Sequence, residues 1–349
     1  MKKENASLAF ALAAVFVLIL SIFIPKNIKP DSIYAKSLTL QASQFKNGES
    51  ITPSAPVNTQ KNGGEAVYKV YTGGYILGAL QKIMSEKNAW KLISIFCAAA
   101  SALLLYLTLS SFSPKDKTLV LMPLIFTFPG IIKGCFCMSG YIVTFLFMSL
   151  LVFVLFIKTD YFLKWYLASL CAAFVFIDLP FMCILFYAIP IAAFVCSKKY
   201  RTASKSFLLS LGVLMFGIAL HVFCFFMYKS KAPAFENFNL SNIRTSLLGE
   251  LTVFFVISLI GIFKCPKYTK QYIIPALFAY PVFVFSSMFS HNVSLTELVF
   301  FPPMFLGFAT SVIHQRFYRK YFGFVLVFAV IISVVMISKN ISFIINTAK

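Results

Sequence analysis

Asp31, Lys133, Asp178, His221 and Arg244 are the side chains of this chain best suited to chemistry, because each is a titratable or charged group beside or inside an apolar run. A carboxylate such as Asp31 accepts a proton from a hydroxyl within hydrogen-bond reach, or contributes an oxygen ligand to a divalent cation. Lys133 and Arg244 are suited to an anionic group such as phosphate, lysine as a point charge and arginine through two parallel bonds. Lys69 and Lys82 are further cations of the same kind. Asp178 and His221 fall within apolar runs, where ionisable groups are costly and face a partner or a water-filled cavity. Every one of these residues has a structural alternative. Asp31, in the context Lys-Pro-Asp-Ser, fits a helix cap. Lys133 at the end of an apolar run fits a snorkelling side chain. Asp178 fits a cap before Leu179-Pro180, and His221 a ring bonded to a backbone carbonyl. Glu250 fits a favourable charge at a helix N-terminus.

The elements that must position these groups are apolar helices. The chain is 60% apolar and 12% charged, with 42 Phe in 349 residues. Apolar runs of about 18 residues or more read as membrane spans. The expected fold is an all-α polytopic membrane protein of about eleven transmembrane helices, at 6–24, 90–112, 118–132, 138–157, 165–177, 181–196, 206–227, 247–263, 272–289, 298–313 and 322–338. The organisation is a first helix within 1–24, a loop over 25–89, and a ten-helix bundle over 90–349. Lys2 and Lys3 precede an apolar core longer than the ~7–15 residues of a signal peptide. That segment reads as an uncleaved first helix.

A net charge of +20 suggests nucleic acid in a soluble chain. Here Lys and Arg gather in short loops, the pattern that orients spans, and no basic run is interleaved with aromatics in the manner of a single-strand binder. The groups Lys115/Lys117, Lys158/Lys164, Lys198/Lys199/Arg201/Lys205, Lys264/Lys267/Lys270 and Arg316/Arg319/Lys320 alternate with connections poor in positive charge. This pattern puts the N-terminus in the cytoplasm of a cell (inner) membrane protein and the 25–89 loop outside. Cys97, Cys171, Cys183, Cys196 and Cys224 lie in apolar runs and read as small hydrophobes. Cys135 and Cys137 form a lone C-x-C without a second pair, which argues against zinc.

Long connections tend to be functional or disordered, which singles out 25–89. It offers a short helix after Asp31 and a coil over 46–64. A second amphipathic helix follows Thr72-Gly73-Gly74, with Ile76, Leu80, Ile83 and Met84 on one face and Gln81, Lys82, Glu86 and Lys87 opposite. The Phe sets Phe145/Phe147, Phe223/Phe225/Phe226, Phe254/Phe255 and Phe300/Phe301 are candidates to line a groove for a lipid tail.

Four segments, in this order, resemble the GT-C superfamily of integral-membrane glycosyltransferases, in particular bacterial relatives of the protein O-mannosyltransferases and the lipid A aminoarabinose transferase. They are Asp31-Ser32-Ile33-Tyr34-Ala35, the run Tyr71-Thr72-Gly73-Gly74-Tyr75-Ile76-Leu77-Gly78-Ala79-Leu80, the small-residue-rich span Trp90–Ser110, and Met138-Ser139-Gly140-Tyr141. The resemblance covers about the first 200 residues. It implies an inverting enzyme that moves a sugar from a polyprenyl-phosphate donor to a glycan, lipid or protein acceptor at the outer face. On this likeness Asp31 is the catalytic base or a metal-site carboxylate, and a divalent cation is the one cofactor to consider. Tyr34, Lys69, Lys133, Asp178, His221 and Arg244 are then the substrate-binding set. Two features depart from the family pattern: Ser32 follows Asp31 where many members have a second acid, and Asp178 stands where many have a basic residue. The competing readings are a lipid-linked sugar translocase or other transporter and a polysaccharide polymerase. Arg244 as the sole arginine in the outer loops weighs against the polymerase.

Overall fold

In the computed structural model, the residues described are 33–49, 72–113, 115–136, 141–156, 239–266, 269–288 and 293–314, with isolated helical positions between 167 and 175, at 215 and 219, and between 331 and 338. Among them the secondary structure is helical, without strands. In chain order the helices are α1 (Ile33–Lys46), α2 (Thr72–Gln81), α3 (Glu86–Ser110), α4 (Lys115–Thr127), α5 (Pro129–Phe136), α6 (Tyr141–Phe156), α7 (Ser241–Leu247), α8 (Glu250–Lys264), α9 (Lys270–Ser287) and α10 (Val293–His314). The expected spans 6–24 and 181–196 lie outside the described residues, while 165–177, 206–227 and 322–338 are described only at isolated positions.

Among the described residues, two helices are long and apolar enough to cross a membrane, α3 and the Thr296–His314 part of α10. The pair α7 and α8, bent by 56° at their junction, makes a third if taken as one span. The two long helices sit differently. On α3 the residues Leu92, Phe96, Leu103 and Leu107 are exposed, whereas Ala89, Trp90, Ile93, Cys97 and Ala98 are buried. Such a split at helical spacing is that of a helix with one face on the protein and one on its surroundings. By contrast α10 is buried almost all round and serves as the central stave, meeting α5, α6, α8 and α9.

Glycine and serine set how closely the staves approach. A side chain added at Gly261 of α8 would overlap Ser311 of α10, and one at Gly307 would overlap Ala276 of α9. Ser258 of α8, Ser311 of α10 and Ser149 of α6 donate to the carbonyl one turn back, on Phe254 at 2.7 Å, Gly307 at 2.7 Å and Phe145 at 2.9 Å. Small residues that let backbones approach are how helices associate where apolar surface alone gives no net drive. Pro275 and Pro281 in α9, and Pro302 and Pro303 in α10, lie inside helices. Each removes one intrahelical donor.

The structure differs from the sequence expectation in three places. The run 118–132 is not one helix: α4 ends at Thr127 and α5 starts at Pro129. Proline has no N–H to give to the preceding turn and suits a first helical position, so it restarts the helix. In α2 the inward face is Gly73, Gly74, Leu77, Gly78 and Gln81, whereas Ile76 is exposed and Leu80 half-buried; the helix ends at Gln81, so Ile83, exposed, and Met84 lie in the turn that follows. The glycines decide this. A Cβ on Gly78 would lie 2.7 Å from the Ala42 carbonyl oxygen, so α1 rests directly on the glycine backbone. Phe45 meets Tyr75 edge-on at 5.6 Å and carries Lys82 Nζ 4.7 Å above its ring, closing the pair. Third, Phe145, Phe254, Phe300 and Phe301 line no groove. Phe145, Phe254 and Phe301 are buried in a ring cluster with Phe128, Phe305 and Phe308, with Phe128 and Phe301 centroids 4.4 Å apart, and Phe300 is buried against Phe283. Phe223, Phe225 and Phe226 lie outside the described residues.

Candidate functional site

A cluster of hydrogen-bonded polar groups lies at the end of the bundle where α8 and α10 begin and α9 ends. Gly249 is the N-cap of α8, extended at φ −73° and ψ 166°, and Glu250 lies in the first turn. The chain reaches it through the short helix α7, which turns back on itself: Leu248 N donates to the Arg244 carbonyl at 3.1 Å and Gly249 N to that of Ser246 at 3.2 Å. Two bonds dock α7 on the end of α9. Asn242 Nδ2 donates to the Ser287 carbonyl at 3.0 Å, and the Asn239 amide to the Met288 carbonyl at 2.9 Å. The Ser246 hydroxyl also donates to Ser287 Oγ, and Thr252 Oγ1 and the Tyr280 hydroxyl share a hydrogen bond of 2.6 Å.

Glu297 completes this end. It is buried, on the first turns of α10, and its carboxylate lies where a Gly249 side chain would otherwise be. The absence of a Cβ at the cap of α8 admits a carboxylate to the end where helix dipoles favour negative charge. The next residue, Leu298, fits against Gly134 of α5, where a Cβ would come within 2.7 Å of its Cδ2. Lys133 and Glu297, each preceding one partner of that contact, are thus carried to the same seam. Cys135 Sγ donates to the Ser94 carbonyl at 3.9 Å, tying α5 to α3 as well.

Of the substrate-binding and catalytic residues expected from sequence, the structure places Lys133 half-buried on α5 and Arg244 exposed on α7. Both helices pack on α10, and both cations fall at its N-terminal end. Tyr34 lies in the first turn of α1. Asp31, Lys69, Asp178 and His221 lie outside the described residues, so a metal site on Asp31 does as well. Among the described residues no three His, Cys, Asp or Glu side chains form a group able to hold a metal ion.

The sequence reading passed over Glu297, placing it in a loop before the span at 298. A signal was present. Ser294-Leu295-Thr296-Glu297 has the spacing of a capping box ahead of an apolar run, which moves the start of the helix upstream of the acid. The arrangement offers a buried carboxylate that can accept a proton or a hydrogen bond, with Lys133 and Arg244, groups able to hold an anion, carried on two helices that pack against the same helix α10.

Comparison with known protein families, with characterised proteins and with solved structures finds no match for this chain. The class that the geometry defines is therefore a helical protein with membrane-spanning character and a polar end built from α5, α7, α8, α9 and α10.

Proposed function

We propose that the chain is a GT-C-like glycosyltransferase of the cell membrane. On this reading it transfers a sugar from a polyprenyl-phosphate carrier to a lipid, glycan or protein acceptor at the outer face. The observation that carries the proposal is that the helices bearing Lys133 and Arg244, far apart in sequence, both pack on α10, α5 doing so through Gly134 and Leu298 near the start of that helix. Transfer from a lipid phosphate needs positive charge where the departing phosphate gains negative charge, and a carboxylate for the acceptor proton. Arg244 and Lys133 supply the first, and Asp31, directly before the α1–α2 pair, the second. The positive-inside pattern of the short loops supports an outer position for this end, near the carrier's headgroup.

The breaks at Pro129 and at the 56° junction of α7 and α8 favour a second reading, a translocase of the same lipid-linked sugar. Discontinuous spans are typical of substrate sites in transporters. One experiment separates the two. Membranes carrying the protein are given a labelled polyprenyl-phosphate sugar and acceptor, and compared with sealed vesicles lacking acceptor. The transferase reading expects labelled product, lost in Asp31→Asn and lowered in Arg244→Gln. Lipid movement across the vesicle membrane without product supports the translocase, and unchanged transfer by Asp31→Asn removes that residue from the base role.

A further inference from the structure

The head of α3 carries donors that the fold leaves unused. Trp90 Nε1, Ser94 Oγ and Gln81 Nε2 are buried and have no hydrogen-bond partner among the described residues. Buried hydroxyls at Ser149, Ser258 and Ser311 bond the carbonyl one turn back, whereas Ser94 shares its unpartnered state with Ser101, Ser113, Ser286 and Thr310; at the head of α3 such a hydroxyl is joined by an unpartnered indole and an unpartnered amide N–H. A buried donor left unmade costs about 1–3 kcal/mol, and native structures rarely tolerate several together without a ligand or water. Trp90 and Ser94 are one turn apart on one face of α3, as spacing by four requires. Gln81 ends α2, which packs on α3 across the short connection 82–85.

The same place is the N-terminus of a long helix, and its cap is open: Ser85, extended at φ −65° and ψ 151°, makes no side-chain capping bond. Helical side chains lean toward the N-terminus, which carries the Trp90 ring over the first turn. First-turn amides and an indole N–H are donors only, so the complementary ligand is rich in acceptors. Lys82, Lys87 and Lys91 surround this turn against the single acid Glu86, which favours an anion. A sugar, whose hydroxyls must also donate, fits less well.

We propose that the head of α3, roofed by α2, is a binding site for a phosphate ester, with Trp90 Nε1, Gln81 Nε2 and Ser94 Oγ donating to its oxygens. The donors are covered in this structure, so entry of the ligand requires α2 to lift. α1 lifts with it, because the two share the Gly78–Ala42 contact. The site deepens the proposed function by adding a phosphate subsite on α3, distinct from Lys133 and Arg244. It does not depend on sugar transfer, since binding is read without acceptor.

The chain has two tryptophans, so Trp165→Phe leaves Trp90 as the sole reporter. This protein, in lipid nanodiscs, is titrated with polyprenyl phosphate, with inorganic phosphate and with the unphosphorylated polyprenol, following Trp90 emission. The expected result is a saturable change with polyprenyl phosphate and none with polyprenol. Gln81→Leu should weaken binding about tenfold, the loss of one hydrogen bond to a charged group, with unchanged helicity by circular dichroism. A saturable response to inorganic phosphate as well locates the recognition in the phosphate and supports the site. Equal responses to polyprenol and its phosphate, no response to any probe, or undiminished binding by Gln81→Leu each overturn it. If Asp31→Asn retains transfer while phosphate binding at Trp90 persists, only the assignment of the base fails.

Discussion

Replacing Gly249 by alanine puts a methyl group where the Glu297 carboxylate lies, and 3.2 Å from the Ser246 carbonyl oxygen. The backbone there, at φ −73° and ψ 166°, accepts any residue, so the cost is steric rather than conformational. Forcing extra volume into a packed site costs roughly 1–3 kcal/mol. With roughly 2–4 °C per kcal/mol for a chain of a few hundred residues, Gly249→Ala should lower Tm by about 2–12 °C. The decisive background is Glu297→Ala, which removes the obstructing carboxylate. There the added methyl meets only the Ser246 carbonyl at a distance that small shifts relieve. The entropy gained by removing a glycine, about 0.4–1 kcal/mol, then roughly balances the poorer cap that alanine makes. Gly249→Ala should therefore be near neutral in Glu297→Ala protein, giving a coupling of roughly 1–3 kcal/mol. Thermal unfolding of the four proteins of this cycle, purified in one detergent, measures it. Equal losses in both backgrounds would show that Glu297 does not occupy the space beside the cap, and would refute the account of this end of the bundle.

Gly78→Ala should part α1 from α2, since its methyl would meet the Ala42 carbonyl at 2.7 Å and Phe45 at 2.9 Å. The expected cost of about 1–3 kcal/mol should be read as faster amide hydrogen exchange over 72–81, with α10 unchanged. Thr252→Val strands the buried Tyr280 hydroxyl and should cost about 1–3 kcal/mol. Adding Tyr280→Phe should then recover part of the lost Tm, whereas two independent and additive losses would show that the hydroxyls do not pair.

Periodicity and hydropathy made the larger helices readable. The expected span 90–112 is α3 over 86–110, and 298–313 lies within α10. What escaped was decided by contact between helices. In α2 the large apolar residue Ile76 outweighs glycine on any hydrophobic scale, yet Gly74 and Gly78 face inward because backbone-to-backbone approach is worth more there than side-chain area. Phe301 was legible as apolar but not as core, since a tail-lining and a core-packing Phe have the same neighbours in sequence. Glu297 falls just before the expected span 298–313 because an acid lowers the apolar score of a run, and the space left by Gly249 is what makes its burial workable. Arg244 was placed before a span, but the helix around it depends on Asn242 and Ser246 bonding to the end of α9.

The seam of α8, α9 and α10 has a practical consequence for handling the protein. Lipid tails solvate leucine as well as leucine does, so leucine-to-leucine contacts loosen when the surrounding amphiphile competes for them. Where Gly261 seats Ser311 and Gly307 seats Ala276, the attraction comes from closely apposed backbones that no acyl chain can imitate. That three-helix wedge should keep its geometry when the solubilising medium is exchanged, and reconstitution losses should begin elsewhere, at the hairpin poised on the end of α3.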